Sequence, residues 1–161
     1  MSQWGLSEEL TISRQEADKY ISDYFKEFKD VKAFLDRCVS GCKATGEIRT
    51  YYGRRRMVPE INASQYMVRQ LGERLAMNTP VQGTAADIIK IAMNKVYERL
   101  AEEVPEAKLI LQIHDELIID TPLKYKDKVS SILVECMMHA ADMEVSLEVS
   151  RSEAFNWYDL K

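Results

Sequence analysis

Along residues 13–28, Ala17, Tyr20, Ile21, Tyr24, Phe25 and Phe28 recur every three or four positions. That spacing lines one side of an α-helix. Ser13 precedes the stripe and Glu16 follows three residues on, a pairing that satisfies two backbone N–H groups at a helix start. The aromatic stripe is read as facing a core. A second amphipathic helix is predicted from about Asp30. It presents Val31, Phe34, Leu35, Cys38 and Val39, and it ends by Gly46. Residues 47–61 then change character. Ile48, Thr50, Tyr51 and Tyr52 favour extended backbone and Gly53 favours a turn, with Arg54, Arg55 and Arg56 at or just beyond it. Helical spacing returns over residues 64–77 through Met67, Val68, Leu71 and Leu75. Thr79-Pro80 predicts a fresh helix start, with Thr as N-cap and Pro as first helical residue. This helix runs to about Leu100 on a face of Ala85, Ile88, Ile89, Ala92, Met93 and Val96.

Two apolar runs, Leu109-Ile110-Leu111 and Leu117-Ile118-Ile119, read as buried strands. Between them, Gln112 to Glu116 hold polar groups that must face solvent or be placed for chemistry, because an unpaired buried charge is costly. A β-hairpin with His114, Asp115 and Glu116 at or near its tip follows. The tip is either a plain polar turn or a metal- or proton-handling site. Thr121-Pro122 predicts another helix start, ending near Ala141, and Val145, Leu147 and Val149 alternate as a final strand. This order of elements predicts an α+β fold, mostly helical with a small antiparallel sheet containing the hairpin.

A chain of 161 residues with 46% hydrophobic and 30% charged content is about one globular domain with a real core. No apolar run approaches the roughly 20 residues that span a bilayer, the N-terminus lacks a secretory pattern, and no membrane partner is expected. Three cysteines, Cys38, Cys42 and Cys136, make an odd number, which suits free thiols in a reducing compartment. Charge distribution changes the picture more than the net −4. Between Lys43 and Arg74 seven basic residues face three acidic ones, and six of the seven are arginine. Arginine's planar donor fork suits phosphate, so this stretch is either a nucleic-acid contact or a solvated basic surface.

The stretch Asn78-Thr79-Pro80-Val81-Gln82-Gly83-Thr84-Ala85-Ala86-Asp87-Ile88-Ile89-Lys90, followed by Gln112-Ile113-His114-Asp115-Glu116-Leu117, closely resembles family A of the DNA polymerases, the bacterial polymerase I type. Tyr52-Gly53-Arg54-Arg55-Arg56, Gly72-Glu73-Arg74 and the terminal Asn156-Trp157 agree with it. The resemblance covers the whole chain and implies a C-terminal part of the polymerase: the end of the fingers and the second half of the palm. It implies one partial polymerase domain, with fingers-derived and connecting helices over residues 1–104 and palm hairpin, helix and strand over 105–161. The family's first palm motif, with the other metal aspartate, and the nucleotide-binding fingers helix are absent from these residues. Ser152-Glu153-Ala154-Phe155 also departs from relatives, which often carry glycine there.

The activity implied is nucleotidyl transfer from dNTP to a primer 3′-hydroxyl at a two-metal Mg²⁺ site, in DNA replication and repair. By resemblance Asp115 is one of the two metal aspartates and Glu116 is the adjacent acid. His114 positions the primer terminus or serves as a general base. Arg74 and Gln82 match positions that face the minor groove at the primer–template end, with Asn78 one helical turn from each. Arg54, Arg55 and Arg56 meet backbone phosphate or form loop salt bridges. Primer–template DNA, dNTP and the upstream remainder of the polymerase are the implied partners, in a bacterial, nucleoid-associated cytoplasmic setting. The contrasting reading is a catalytically inactive duplex-binding module, because one metal carboxylate is missing. The truncated sheet also predicts self-association through an unpaired edge.

Overall fold

In a computed structural model, residues 3–160 are described. The elements are α1 (Gln3–Leu10), α2 (Arg14–Glu27), α3 (Lys29–Thr45), β1 (Glu47–Arg49), β2 (Arg55–Met57), α4 (Tyr66–Glu103), β3 (Lys108–Ile113), β4 (Glu116–Asp120) and α5 (Lys126–Met138), with single 3₁₀ turns at Pro59–Asn62, Leu123–Tyr125 and Trp157–Leu160. The α+β class holds: helices dominate, and the strands form two antiparallel pairs, β1–β2 and β3–β4. The chain divides into two compact units, Met1–Val81 and Gln82–Lys161. No described helix is long and apolar enough to cross a membrane.

In the first unit the capping box forms as its sequence predicts. The Glu16 amide donates to the Ser13 hydroxyl, and the Ser13 amide donates to the Glu16 carboxylate at 3.0 Å. The Ser13 hydroxyl also donates to that carboxylate at 2.8 Å, and this bond, with the one from the Ser13 amide, holds the Glu16 carboxyl below its ordinary range. Gly46 ends α3 in the left-handed region, φ 74°, its N–H donating to Cys42, a conformation that costs a side-chain-bearing residue. The core gathers Cys42, Val58, Ile61 and Ala76, with Val39, Ile48 and Leu75 against them. Burial pushes the Cys38 and Cys42 thiols up, consistent with inert structural cysteines. Gly72 lets α4 lie directly on the Pro59–Asn62 turn: a Cβ there would fall 2.5 Å from the Ile61 amide nitrogen.

In the second unit Ala92, Val96 and Leu100 of α4 pack with Val104, Leu117 of β4 and Val129, Ile132 and Cys136 of α5. The helices there are also tied by charge. Arg99 donates to Glu103 at 2.8 Å and to Glu135 at 2.6 Å, while Lys128 reaches Glu103 at 3.3 Å.

Four sequence expectations are corrected. The helix break at Thr79-Pro80 does not occur, and α4 continues through Pro80. Thr79 is not an N-cap. Its hydroxyl donates to the Leu75 carbonyl at 2.6 Å, an i−4 bond made from inside a helix. Burial on both sides of the proline, Ala76 in one core and Ala92 in the other, outweighs the local start signal. The helix expected from Thr121-Pro122 opens as the Leu123–Tyr125 3₁₀ turn, and its α-helical part is confined to Lys126–Met138. Residues 145–149 are not a strand: no described strand pairs with them, and Val145 is 79% exposed. The α2 stripe is not core either. Tyr20, Tyr24 and Phe28 remain half exposed, and of the stripe only Ala17 is fully buried.

Candidate functional site

The hairpin tip lies in the second unit. Antiparallel pairing places Ile113 opposite Glu116 and Gln112 opposite Leu117, which leaves His114 and Asp115 as a two-residue loop. Period-two alternation turns Leu117 and Ile119 to one face and Glu116 and Ile118 to the other. Leu117 is buried and packs in the unit's core, joined there by Leu109 and Ile119. Those anchors hold the loop while its polar residues stay in solvent. A register irregularity between Leu109 and Leu111 bends the first strand at Ile110. Bulges of this kind re-aim strand ends next to functional sites.

His114 has φ 52°, an uncommon conformation for a non-glycine residue. Its carbonyl accepts a hydrogen bond from the Gln112 carboxamide, so Gln112 props the turn from within the hairpin. His114, Asp115 and Glu116 are all exposed. Neither carboxylate is drawn into an ion pair with a described residue. They present adjacent hard-oxygen donors of the kind Mg²⁺ accepts, since that ion is usually held by one or two carboxylates with phosphates and water completing its shell. Among the described residues no group of three potential metal-ligating side chains comes together.

The arginine-rich site lies in the first unit. β1 and β2 pair with Arg49 opposite Arg55 and Ile48 opposite Arg56. The turn between them is closed twice. The Gly53 amide donates to the Thr50 carbonyl at 3.0 Å, and the Thr50 amide donates to the Arg54 carbonyl at 3.0 Å. Gly53 has φ 82°, which glycine adopts without penalty. Glu47 takes Arg49 at 2.8 Å and, more loosely, Arg55 at 3.6 Å. Arg56 donates to the Thr79 hydroxyl at 3.4 Å, a partner the sequence does not reveal. Arg54, Arg55 and Arg56 all remain exposed.

Arg74 and Asn78 lie four apart on α4 and are both exposed, so they share one helix face. Glu73 does not neutralise Arg74. It accepts from Lys43 at 2.6 Å and from Gln70 at 3.3 Å. Gln82, exposed, stands on the part of α4 that belongs to the second unit. Sequence reasoning passed over Thr79 and Gln112 as supports for the site residues. The signals were a hydroxyl beside a helical proline and an amide two residues before a strained turn.

Comparison with known proteins finds a match to the DNA polymerase family A profile over residues 1–159. The chain is 41% identical over 161 residues to a DNA polymerase I of Caldicellulosiruptor bescii, covering all of this chain and 19% of that protein. It is 42% identical over 161 residues to a DNA polymerase I of Bacillus caldotenax, again over all of this chain and 18% of that protein. Among solved structures it is similar to the POL domain of Pol1 from M. smegmatis in complex with DNA primer-template and dNTP. The TM-score is 0.87 at 37% identity, covering 92% of this chain and 26% of that one. The chain thus spans about a fifth of the length of the curated relatives it matches.

Proposed function

This chain belongs to the DNA polymerase family A, and on that premise we propose that it forms the C-terminal part of a template-directed DNA polymerase. The reaction is attack of a primer 3′-hydroxyl on the α-phosphorus of a dNTP, forming a phosphodiester and releasing pyrophosphate. The observation that carries the reading is Asp115. Its carboxylate is exposed on a two-residue loop whose following strand is pinned in the core through Leu117. Divalent metal, when bound, lowers the cost of generating the attacking alkoxide and of charging the leaving pyrophosphate. Asp115 is the residue proposed to hold it, with the second carboxylate coming from upstream sequence, and Glu116 supports the metal or the primer end. His114 positions the primer terminus. The proposed division into fingers-derived residues 1–104 and palm residues 105–161 assigns the hairpin to the palm.

Arg74 and Gln82 donate to minor-groove acceptors, purine N3 and pyrimidine O2, which all four base pairs share. Such donors test the shape of a pair without reading its sequence. Asn78, on the same helix face as Arg74, meets the same duplex. Arg54, Arg55 and Arg56 meet backbone phosphate, with Arg55 and Arg56 exchanging their weaker contacts to Glu47 and Thr79 for charged oxygens. The neighbour of known structure, a polymerase with primer-template and dNTP, supports DNA and nucleotide as partners. The likeness of this chain to the DNA polymerase I relatives supports a role in replication and repair in the cytoplasm.

Primer extension with Mg²⁺ and all four dNTPs tests the proposal, first with this chain alone and then mixed with the upstream part. The expected result is no synthesis alone, templated synthesis on mixing, and loss of that synthesis with Asp115→Ala. Failure on mixing despite two folded partners would sink it. The absence of a three-ligand cluster among the described residues favours a second reading for the chain by itself: a duplex-binding module without chemistry. That reading expects affinity falling steeply with salt. The β3–β4 pair carries no third described strand, and Ile110 and Leu111 beside its edge are exposed. We propose self-association there when the upstream part is missing; a strictly monomeric species by light scattering at high concentration would refute it.

A further inference from the structure

A cavity of about 230 Å³ lies on the second unit between α4 and α5, lined by Lys95, Glu98, Arg99, Glu135, Cys136 and His139. None of these residues takes part in the proposed nucleotidyl transfer. Two contacts brace its walls. The Lys95 ammonium donates to the His139 carbonyl at 2.6 Å, and Arg99 donates to Glu135 at 2.6 Å. Cys136 is only 5% exposed, and because its side chain lines the cavity, this is the route by which solvent reaches its sulfur. The thiol is free and makes no hydrogen bond to a described residue. His139 follows three residues later, at the C-cap of α5, a spacing that puts both on one side of the helix end. Its ring Nδ1 stands 2.8 Å from the Glu135 carbonyl. A carbonyl oxygen only accepts, so Nδ1 carries the proton and the neutral ring keeps its Nε2 lone pair for another partner.

We infer that this cavity is an oxidation site, at which a small peroxide converts the Cys136 thiol to a sulfenic acid with His139 as the base. A thiol, an imidazole and a carbonyl that fixes the imidazole's tautomer line one space, the arrangement that activates a cysteine as a nucleophile. In the step itself the imidazole Nε2 takes the thiol proton as sulfur attacks one peroxide oxygen. The O–O bond breaks, and the departing hydroxide takes the proton back from the imidazolium. One thiol and one hydrogen peroxide give one sulfenic acid and one water, with sulfur oxidised and peroxide oxygen reduced. The lining suits that ligand. Lys95 and Arg99 are balanced by Glu98 and Glu135, so the space favours a small uncharged molecule over an ion. Cys38 and Cys42 are buried too, yet they belong to the first unit and do not line this cavity. The second unit holds no other cysteine, so no neighbouring thiol within it consumes the sulfenic acid as a disulfide. The inference does not rest on the polymerase reading.

The test is peptide mass spectrometry of the 161-residue chain and its His139→Gln variant, treated with hydrogen peroxide in the presence of dimedone, which traps sulfenic acids. The expected result is an adduct on Cys136 at peroxide doses that leave Cys38 and Cys42 unlabelled. His139→Gln should slow labelling of Cys136 by about 100-fold, the lower end of what a positioned base contributes, and leave that of Cys38 and Cys42 unchanged. Labelling of Cys136 no faster than that of Cys38 and Cys42 overturns the inference, and so does a rate indifferent to His139→Gln. A rate that climbs steeply in low urea also overturns it, because the thiol is then reached by opening of the unit and not through the cavity. Circular dichroism checks that His139→Gln, at an exposed C-cap position, keeps its helices. Should that variant unfold, the comparison of the three cysteines in the wild-type chain decides alone.

Discussion

His114→Gly is expected to make stability and function move in opposite directions. His114 is the first of two loop residues between β3 and β4, and its φ is 52°. Two-residue hairpin loops with positive φ at this position favour glycine. A left-handed conformation costs an L-residue about 1–2 kcal/mol. Glycine loses about 0.5–1 kcal/mol more backbone entropy on folding than a residue with a side chain. The net expectation is a gain of about 0.5–1 kcal/mol. The imidazole is exposed and the Gln112 bond goes to the backbone carbonyl, so the substitution removes no side-chain hydrogen bond that would offset the gain. With a urea dependence of about 2 kcal/mol per molar, the midpoint should rise by about 0.3–0.5 M. Amide exchange of β3 and β4 across a urea series follows the second unit without interference from the first. A midpoint that falls or stays level would refute the strain account. In a complemented polymerase the same substitution should lower primer extension, because it removes the imidazole proposed to position the primer terminus. Strain retained at a functional turn and relieved at the expense of activity is the pattern expected of a site residue.

Gly72→Ala should lower stability by about 1–2 kcal/mol, the overpacking cost exceeding the helix-propensity gain. The new Cβ would meet the Ile61 backbone at 2.5 Å, and a urea midpoint at or above wild type would show that the Pro59–Asn62 turn yields freely. Ser13→Ala should cost about 1 kcal/mol by removing the hydroxyl that accepts from the Glu16 amide and donates to its carboxylate; faster amide exchange confined to the first turn of α2 is the signature. Glu103 is held below its ordinary value of 4.5 by hydrogen bonding from Arg99, with Lys128 assisting. A carboxylate whose pKa is depressed on folding contributes stability above its unfolded value and loses it as pH falls through the folded one. Stability of the second unit should therefore drop below about pH 4.5, and Glu103→Gln should flatten that limb of the acid-unfolding curve. A Glu103→Gln curve that superimposes on wild type would count against it.

Much of the candidate site can be read along the chain because it depends on short-range chemistry. A hairpin is signalled by two apolar runs around a polar gap, and its anchor, Leu117, is the first apolar residue after the tip. Ser13 with Glu16 and the stop at Gly46 are likewise local, since capping groups satisfy backbone only a few residues away. The family assignment is also a property of residue order, carried by motifs from Tyr52 to Trp157.

Tertiary structure decided what depends on distant partners. Thr79-Pro80 has the same local appearance at a helix start and inside a helix. Packing of Ala76 and Ala92 in separate cores made it interior. Residues 145–149 alternate like a strand, yet alternation supplies no ladder, and no described strand pairs with them. The α2 aromatics have helical spacing, but spacing names only a face, and what covers that face is set by other segments. Arg56 meeting Thr79 across 23 residues, and Lys43 rather than Arg74 taking Glu73, follow from how strand, turn and helix come together. Periodicity and capping are written within a few residues of backbone, whereas pairing and burial are settled only once the chain has returned on itself.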